Sequence, residues 1–467
     1  MVHSKKTLFL GLVWSSVDKA GIFVAQMLLE LIMARLLTPR DYGLIGMIAV
    51  FMSVAQVFVD GGFSSALIQK KDRTNSDYST IFYICTGLGI FIYLILLGLS
   101  PIISTFYNEN LNSLIAVLGL SLIFNSIGVV YRTKLTVELN FKKQALFSFL
   151  SICISGIIAI VLAYHNFGVW ALVTQTVLLA FFNNLFLIIN NKWFPELKFS
   201  SDSFKQLSGY GFKLLISGFI NSLYMNANSL ILGRFYDTKT VGYFTKAYQS
   251  TIFPVSFLTT VIQRVVFPYL VSFQHDEEKL FSLNQKYVTL YLMAFCPVIV
   301  VALIVSRELI ILLLTEKWIN ILIPFKYLLS ACIFFPVIVI NMNLFQVKGR
   351  ITEFLYVEIA TKITGIFIIF LMYKKGVNYI ALGVLIQFFL QFIITSVFSC
   401  RLLKRKITEQ ITALLPIFLA NALLFLFVEL FMDNLFFKCI FFVVIYLIFI
   451  YFYYRKILLE VLRGFKI

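Results

Sequence analysis

The chain has 467 residues, 60% of them hydrophobic and only 13% charged, with a formal net charge of +17; ordinary soluble domains run at about 45–50% apolar and about 25% charged. The excess recurs as stretches of roughly 20 apolar residues, enough at 1.5 Å per residue to cross a hydrocarbon layer about 30 Å thick. That excludes a soluble globular domain, and the lack of short alternating segments excludes a β-barrel; the expectation is an all-α polytopic membrane protein.

In chain order, "MVHSKKTLFLGLVWSSVDKAG" has a charged start and an apolar run but no small-residue cleavage site, and it continues past Lys19. It reads as a retained first span rather than a signal peptide. Polar, Gly and Pro punctuation then predicts fourteen helices, near 8–36, 42–67, 79–106, 112–131, 144–165, 167–190, 209–234, 243–272, 285–314, 323–347, 353–373, 378–400, 411–432 and 435–454. Asp60, Gly61 and Gly62 stand where the second helix should finish. The glycines are expected to end it, leaving "FSSALIQ" as an amphipathic turn before Lys70, Lys71 and Arg73.

Loop charge sets orientation. One set of ends collects 24 Lys and Arg, the opposite set 8, so the first set is expected in the cytoplasm, with both termini inside. The net positive charge, a nucleic-acid signal in a soluble chain, is explained by these loops, and no nucleic acid partner is expected. The six cysteines are scattered without a CxxC, and the three histidines show no ligand spacing, so neither a disulfide framework nor a metal site is expected. Loops are short throughout, so any function must reside within or between helices.

"ARLLTPRDYGLIGM" has an echo in "LGRFYDTKTVGYFTKA". Aligning Arg35 with Arg234 also aligns Gly43 with Gly242 at the same offset of 199. Each copy is a helix end, an Arg, a polar turn, a Gly and a new helix. The second copy falls six helices after the first, an even number, which implies parallel repeats. Transporters so built bind substrate between lobes and alternate access by rocking. The expected domains are a lobe over 1–206, a second over 207–400, and two further helices with a tail over 401–467.

Seven basic residues fall inside spans: Lys19, Lys213, Lys246, Arg264, Arg307, Lys326 and Lys362. Such charges are costly in hydrocarbon and face protein or a water-filled cavity. Helical phase groups Asp18, Gln26 and Glu30 in the first helix, and Ser53, Gln56, Asp60 and Ser64 in the second. It groups Lys213, Ser217, Asn221, Tyr224 and Asn228 in the seventh, and Lys246, Ser250, Thr260 and Arg264 in the eighth. These stripes occupy the two repeated hairpins. They are either the walls of a polar cavity or interhelical hydrogen bonds that hold the bundle. As a cavity, Lys19, Lys213, Lys246 and Arg264 favour an anionic ligand, with Gln26, Asn221, Tyr224 and Asn228 as polar contacts and Asp18, Glu30 and Asp60 as ion-coupling or gate residues. Arg307 with Glu308, and Lys362 with Glu358, are expected to be local ion pairs. Lys326 is expected to snorkel from a helix end, and Pro254 and Pro268 to bend the eighth helix.

Five stretches, "LLTPRDYGLIGMIAVFMSVAQVFVDGGFSSALIQKKD", "FGVWALV", "LILGRFYDTKTVGYFTKAYQ", "VIQRVVFPYLVSFQ" and "LLLTEKWINILIPF", resemble the polysaccharide-transport family of the MOP exporter superfamily, the Wzx-like flippases of lipid-linked oligosaccharides. The resemblance runs from about residue 10 to 400; beyond about 411 it is one of hydrophobicity alone. It implies two six-helix lobes in a MATE-like V shape, plus two C-terminal helices. It implies translocation of polyprenyl-diphosphate-linked oligosaccharide across the bacterial cytoplasmic membrane, for O-antigen, capsule or exopolysaccharide. Membrane lipid is then a partner, and a polysaccharide polymerase and glycosyltransferases are candidate partners. Related flippases hold the diphosphate with basic cavity residues; the four cavity cations named above were chosen by phase, not by a matched motif. No enzymatic activity and no cofactor are expected, with H+ or Na+ as candidate coupling ions, and no GxxxxGK[ST] motif is present for ATP. The competing readings are a cation-coupled multidrug exporter of the same superfamily, a membrane glycan polymerase or ligase, and a non-transporting scaffold.

Overall fold

The computed structural model describes residues 5–191 and 193–455, with side chains described from Gly21 onward except at Tyr210, Lys213, Leu214, Val261, Ile262, Arg264 and Val265. In the first half the helices are α1 (Lys5–Leu36), α2 (Pro39–Asp60), α3 (Phe63–Gln69), α4 (Asn75–Tyr107), α5 (Asn112–Val137), α6 (Phe141–Tyr164), α7 (Val169–Asn191), α8 (Ser201–Met225), α9 (Ala227–Phe235) and α10 (Thr238–Val271). There follow α11 (Glu277–Ile304), α12 (Ser306–Leu314), a 3-10 turn (Glu316–Ile321), α13 (Leu322–Ala331), α14 (Phe335–Val347), α15 (Ile351–Met372), α16 (Val377–Leu402), α17 (Ile407–Phe431) and α18 (Leu435–Tyr453).

Eleven helical stretches among the described residues are long and apolar enough to cross a membrane. The chain is a multi-pass membrane protein. The expected spans at α1, α8 and α10 include residues outside the described side chains. Elsewhere the apolar surface turns outward: only 17% of the most apolar stretch of α18 is buried within the protein, and Phe436, Leu447 and Phe452 stand exposed. In water such a surface would aggregate; in a bilayer it meets acyl chains.

Local chemistry sets the boundaries. Thr38 caps α2 with Pro39 in the first turn; the Thr38 N–H donates to Asp41 Oδ2 at 2.8 Å, and the Asp41 N–H donates back to Thr38 Oγ1 at 3.4 Å. Thr74 and Asp77 repeat this capping box on α4. Each box satisfies orphan N–H groups of the first turn. At the other end of α2, Gly61 and Gly62 both take left-handed backbone, φ +52° and +69°, the conformation glycine adopts at least cost.

Several expected spans are broken. The second divides at Gly61–Gly62, as its glycines lead one to expect. The seventh divides at Asn226, whose Nδ2 donates to Ser222 O at 2.8 Å and so competes with the helix's own bonding. The ninth divides at Val305, and the tenth at 332–334, just before Pro336 in the first turn of α14. The eighth, α10, runs on through Pro254 and Pro268.

The chain divides into two compact units, Met1–Thr245 and Lys246–Ile467. In the first, α2 is central and packs on α4, α5, α7, α8 and α9. Below it, Phe63, Ala66 and Leu67 of α3 join a core with Tyr78, Ile81, Val130, Tyr131 and Trp193. The Lys134 ammonium stands 4.8 Å from the Trp193 ring centroid, a cation–π contact. So α3 is anchored in this core rather than free at its surface.

In the second unit α16 packs on α13, α14 and α15, and α11 carries α17 and α18. Asn341 is fully buried. Its Oδ1 accepts from Asn284 Nδ2 at 3.2 Å and Gln410 Nε2 at 3.0 Å, and its Nδ2 donates to Ser396 Oγ at 3.1 Å. One amide thus joins α11, α14, α16 and α17. Val428 and Phe442 pack with Val300 and Ile304, and the Tyr446 hydroxyl donates to Met293 O at 3.1 Å. The last two helices are built into the unit by both kinds of contact. The expected Lys362–Glu358 pair forms, at 2.8 Å.

Candidate functional site

The repeat seen in the sequence is a structural one. Leu37 N–H donates to Met33 O, and Tyr236 N–H, 199 residues on, to Leu232 O. Asp41 accepts from the Thr38 hydroxyl at 2.7 Å. In the second copy the residue types exchange places: Asp237 accepts from the Thr240 hydroxyl at 2.5 Å. The same pair of side chains closes both helix starts. Glu109, from the α4–α5 connection, ties the two copies together. It accepts from Arg40 at 3.2 Å and from the Thr238 hydroxyl. Arg234 Nη1 donates to Phe106 O at 2.6 Å.

Below this clasp runs the polar face of α2. Ser53 Oγ accepts from Ser222 Oγ at 3.0 Å and from Asn226 Nδ2 at 2.8 Å, both from the α8 end. Gln56 Oε1 accepts from Asn125 Nδ2 of α5 at 3.1 Å, and its Nε2 donates to Asp60 Oδ1 at 3.2 Å. Ser64 of α3 shares a 2.7 Å hydrogen bond with Thr133. Arg40–Glu109, Gln56–Asn125 and Ser64–Thr133 are each separated by 69 residues. Helix α5 therefore runs parallel to α2 and α3 in a constant register, and the polar positions of one meet those of the other turn after turn.

Arg132 completes this face. It is half-buried in α5 and donates through Nη2 to Asn125 O at 2.9 Å and through Nε to Gly128 O at 3.4 Å. Its charge and that of Asp60 attract each other across the α2–α5 contact. The unit thus holds, within membrane helices, a row of hydroxyls and amides ending in an opposed carboxylate and guanidinium. Hydroxyls and amides suit sugar-like or solvated ligands, and a guanidinium suits oxyanions.

Of the residues singled out in the sequence, Asp60 lies on this face and is exposed. Glu30 sits against the hydroxyl of buried Tyr42. Gln26 and Asn221 are exposed, Tyr224 and Asn228 half-buried, and Asn228 Oδ1 is a buried acceptor without a partner among the described residues. Lys246 belongs to the second unit. It is 1% exposed, its ammonium 6.0 Å from the Trp318 ring centroid. Asp18, Lys19, Lys213 and Arg264 lie outside the described side chains. Sequence reasoning missed Asn125, Arg132, Ser222 and Asn226. Arg132 falls just beyond the expected span 112–131 and so was counted with the 24 loop cations of one set of ends.

The profile of a family described as "Polysaccharide biosynthesis protein" matches residues 32–324, well over half of the chain. The chain belongs to this polysaccharide biosynthesis protein family. Its similar proteins include the lipopolysaccharide biosynthesis protein WzxC of Escherichia coli, 27% identical over 328 residues, 69% of this chain and 66% of WzxC. They also include the teichuronic acid biosynthesis protein TuaB of Bacillus subtilis, 25% identical over 317 residues, 67% of this chain and 65% of TuaB. The match thus spans just under two thirds of each relative. Among solved structures, a lipid II flippase, MurJ, in an inward closed conformation superposes with a TM-score of 0.76 at 15% identity, covering 95% of this chain and 99% of that one. A multidrug-resistance MATE transporter in an inward-facing conformation gives 0.61 at 15% identity, covering 81% and 94%. This polysaccharide biosynthesis protein therefore has the MOP-superfamily transporter fold.

Proposed function

We propose that this chain is a flippase. It moves polyprenyl-diphosphate-linked oligosaccharide units from the inner to the outer leaflet of a bacterial cytoplasmic membrane, for assembly of a surface polysaccharide. The observation that carries the reading is the family match over residues 32–324, joined to a whole-length likeness to a lipid II flippase. The named relatives are proteins of teichuronic acid and lipopolysaccharide biosynthesis, and that neighbour is a flippase of lipid II. The polar row on α2, α5 and α8 supports it, since a headgroup crossing the bilayer needs hydroxyl and amide partners in place of water.

On this reading the chain crosses fourteen times with both termini in the cytoplasm, and the lobes divide near residue 206. Transport is by alternating access with no covalent bond made or broken. The diphosphate meets basic groups, for which Lys19, Lys213, Lys246 and Arg264 remain candidates; Gln26, Asn221, Tyr224 and Asn228 contact the sugars. An H+ or Na+ gradient acts through Asp18, Glu30 or Asp60. A polymerase and glycosyltransferases work beside it.

The test is transfer in proteoliposomes. Purified protein with a fluorescent lipid-linked oligosaccharide in the inner leaflet should render the sugar accessible to an impermeant quencher outside. Export of an organic cation with no movement of the lipid-linked sugar would instead favour the multidrug reading.

A further inference from the structure

Arg132 stands out among the cations of the first unit. It lies near the C-terminal end of α5, a helix long and apolar enough to span a membrane, where a half-buried guanidinium is costly unless its charge and donors are matched. Two of its N–H groups are spent on the carbonyls of Asn125 and Gly128, in its own helix. Those bonds fix the plane of the fork without neutralising it. A guanidinium has five donors, so three are left for another partner.

The nearby carboxylate is held back from those donors. Asp60 is engaged by Gln56 Nε2, and Gln56 by Asn125 Nδ2. Asn125 is also the residue whose carbonyl holds Arg132. A single relay thus fixes both charges, and between Asp60 and Arg132 there is attraction without a direct hydrogen bond. A purely structural ion pair would close the contact, because a bidentate carboxylate satisfies the fork best. Asp60 is exposed, so the site is open on its side.

We propose that Arg132 binds an oxyanion of a phosphate or diphosphate ester, and that Asp60 is the counter-charge which that anion displaces. Without ligand the two charges cancel, which lowers the cost of keeping the arginine half-buried. With ligand, the fork gains the bidentate partner that Asp60 does not provide. When the anion leaves, Asp60 restores neutrality. The site does not depend on the flippase reading, but naming a lipid-linked diphosphate as its ligand does.

Binding to the purified full chain in lipid nanodiscs separates the two. The probes are inorganic pyrophosphate and undecaprenyl diphosphate, measured on wild type, Arg132→Gln, Arg132→Lys and Asp60→Asn. Charge-assisted hydrogen bonds are worth roughly 1.5–3 kcal/mol, so Arg132→Gln should weaken both probes at least about tenfold. Arg132→Lys keeps the charge and loses the fork, and should fall between. Asp60→Asn removes the competitor and should tighten binding. Wild-type affinity for both probes in a monodisperse Arg132→Gln protein overturns the site; should that variant not fold, unchanged affinity in Arg132→Lys overturns it equally. Undecaprenyl diphosphate bound alike by every form also overturns the site while leaving the flippase reading standing. Arg132-dependent pyrophosphate binding with no affinity for the lipid diphosphate supports the site and overturns the flippase reading. Wild type that binds neither probe overturns both.

Discussion

Gly43 and Gly242, 199 residues apart, each lie against the backbone at the start of the other's helix. A Cβ on Gly43 would fall 1.8 Å from the carbonyl oxygen of Thr238, and a Cβ on Gly242 would fall 1.8 Å from that of Pro39. Pro39 and Thr238 are themselves 199 residues apart, so the contact is reciprocal. One turn further, Gly46 faces Thr245, again its own equivalent at that offset. The two copies of the hairpin pack about a local pseudo-twofold, and glycine is what lets α2 and α10 approach so closely at their starts.

Alanine at either of the first two positions therefore cannot be absorbed by a side-chain shift, because the obstacle is a carbonyl. Gly43→Ala and Gly242→Ala are each expected to cost about 3 kcal/mol or more, the upper range for overpacking. They should show as loss of monodisperse protein in fluorescence-detected size exclusion. At Gly46 the nearest atom is the Thr245 hydroxyl, 2.6 Å from a Cβ, so Gly46→Ala should be milder. Adding Thr245→Ala should restore its melting temperature.

Much of this was legible in the sequence, for identifiable reasons. The hairpin repeat could be read because Arg, the polar turn and Gly recur at one offset, and the break at Gly61–Gly62 because paired glycines mark it. The polar face of α2 followed from helical phase alone. Its partners did not, since phase places a residue on its own helix and says nothing of which helix lies opposite. Asn125, Arg132, Ser222 and Asn226 were missed on that account. Breaks at Asn226 and Val305 carry no glycine or proline, and so left no mark. The burial of Lys246 beside Trp318 depends on contacts between residues far apart in the chain.

The clasp on Glu109 should be unequal in its two arms. Arg40 is a 59% exposed side chain, and exposed ion pairs contribute about 0–1 kcal/mol. Arg40→Ala should therefore leave the thermal midpoint nearly unchanged. Glu109→Ala also strands the Thr238 hydroxyl, at a residue only 5% exposed, and should cost roughly 1–3 kcal/mol for the unsatisfied group. Glu109→Gln, which keeps an acceptor for Thr238, should recover most of that loss. Equal melting points for the alanine variants at Arg40 and Glu109 would show that Thr238 contributes nothing.

In the second unit, Asn341 should be the most sensitive polar position. Leucine there is similar in size but leaves Asn284, Gln410 and Ser396 without the bonds that Asn341 now gives them. Each buried group so stranded costs about 1–3 kcal/mol, and together they should prevent stable packing of α17 on α11 and α14. Limited proteolysis should then cut the connection before α17 in Asn341→Leu and spare it in wild type. Gln410→Leu removes one partner only and should be intermediate.

The first of the paired glycines after Asp60 is held by packing as well as by backbone, and substitution should reveal it. Both require left-handed backbone, which costs an L-residue roughly 1–2 kcal/mol. At Gly61 a Cβ would also fall 2.6 Å from the ring of Phe63, and Phe63 is 7% exposed in the core beneath α2. The ring cannot swing away without opening that core. Gly61→Ala should thus lose that backbone cost and a packing penalty of about 1–3 kcal/mol. Hydrogen exchange across α3 is the discriminating readout, because its anchor is the ring that Gly61→Ala displaces. Faster exchange at 63–69 than in wild type is expected in Gly61→Ala. Unchanged exchange there would mean that the ring contact is not what holds α3 in place.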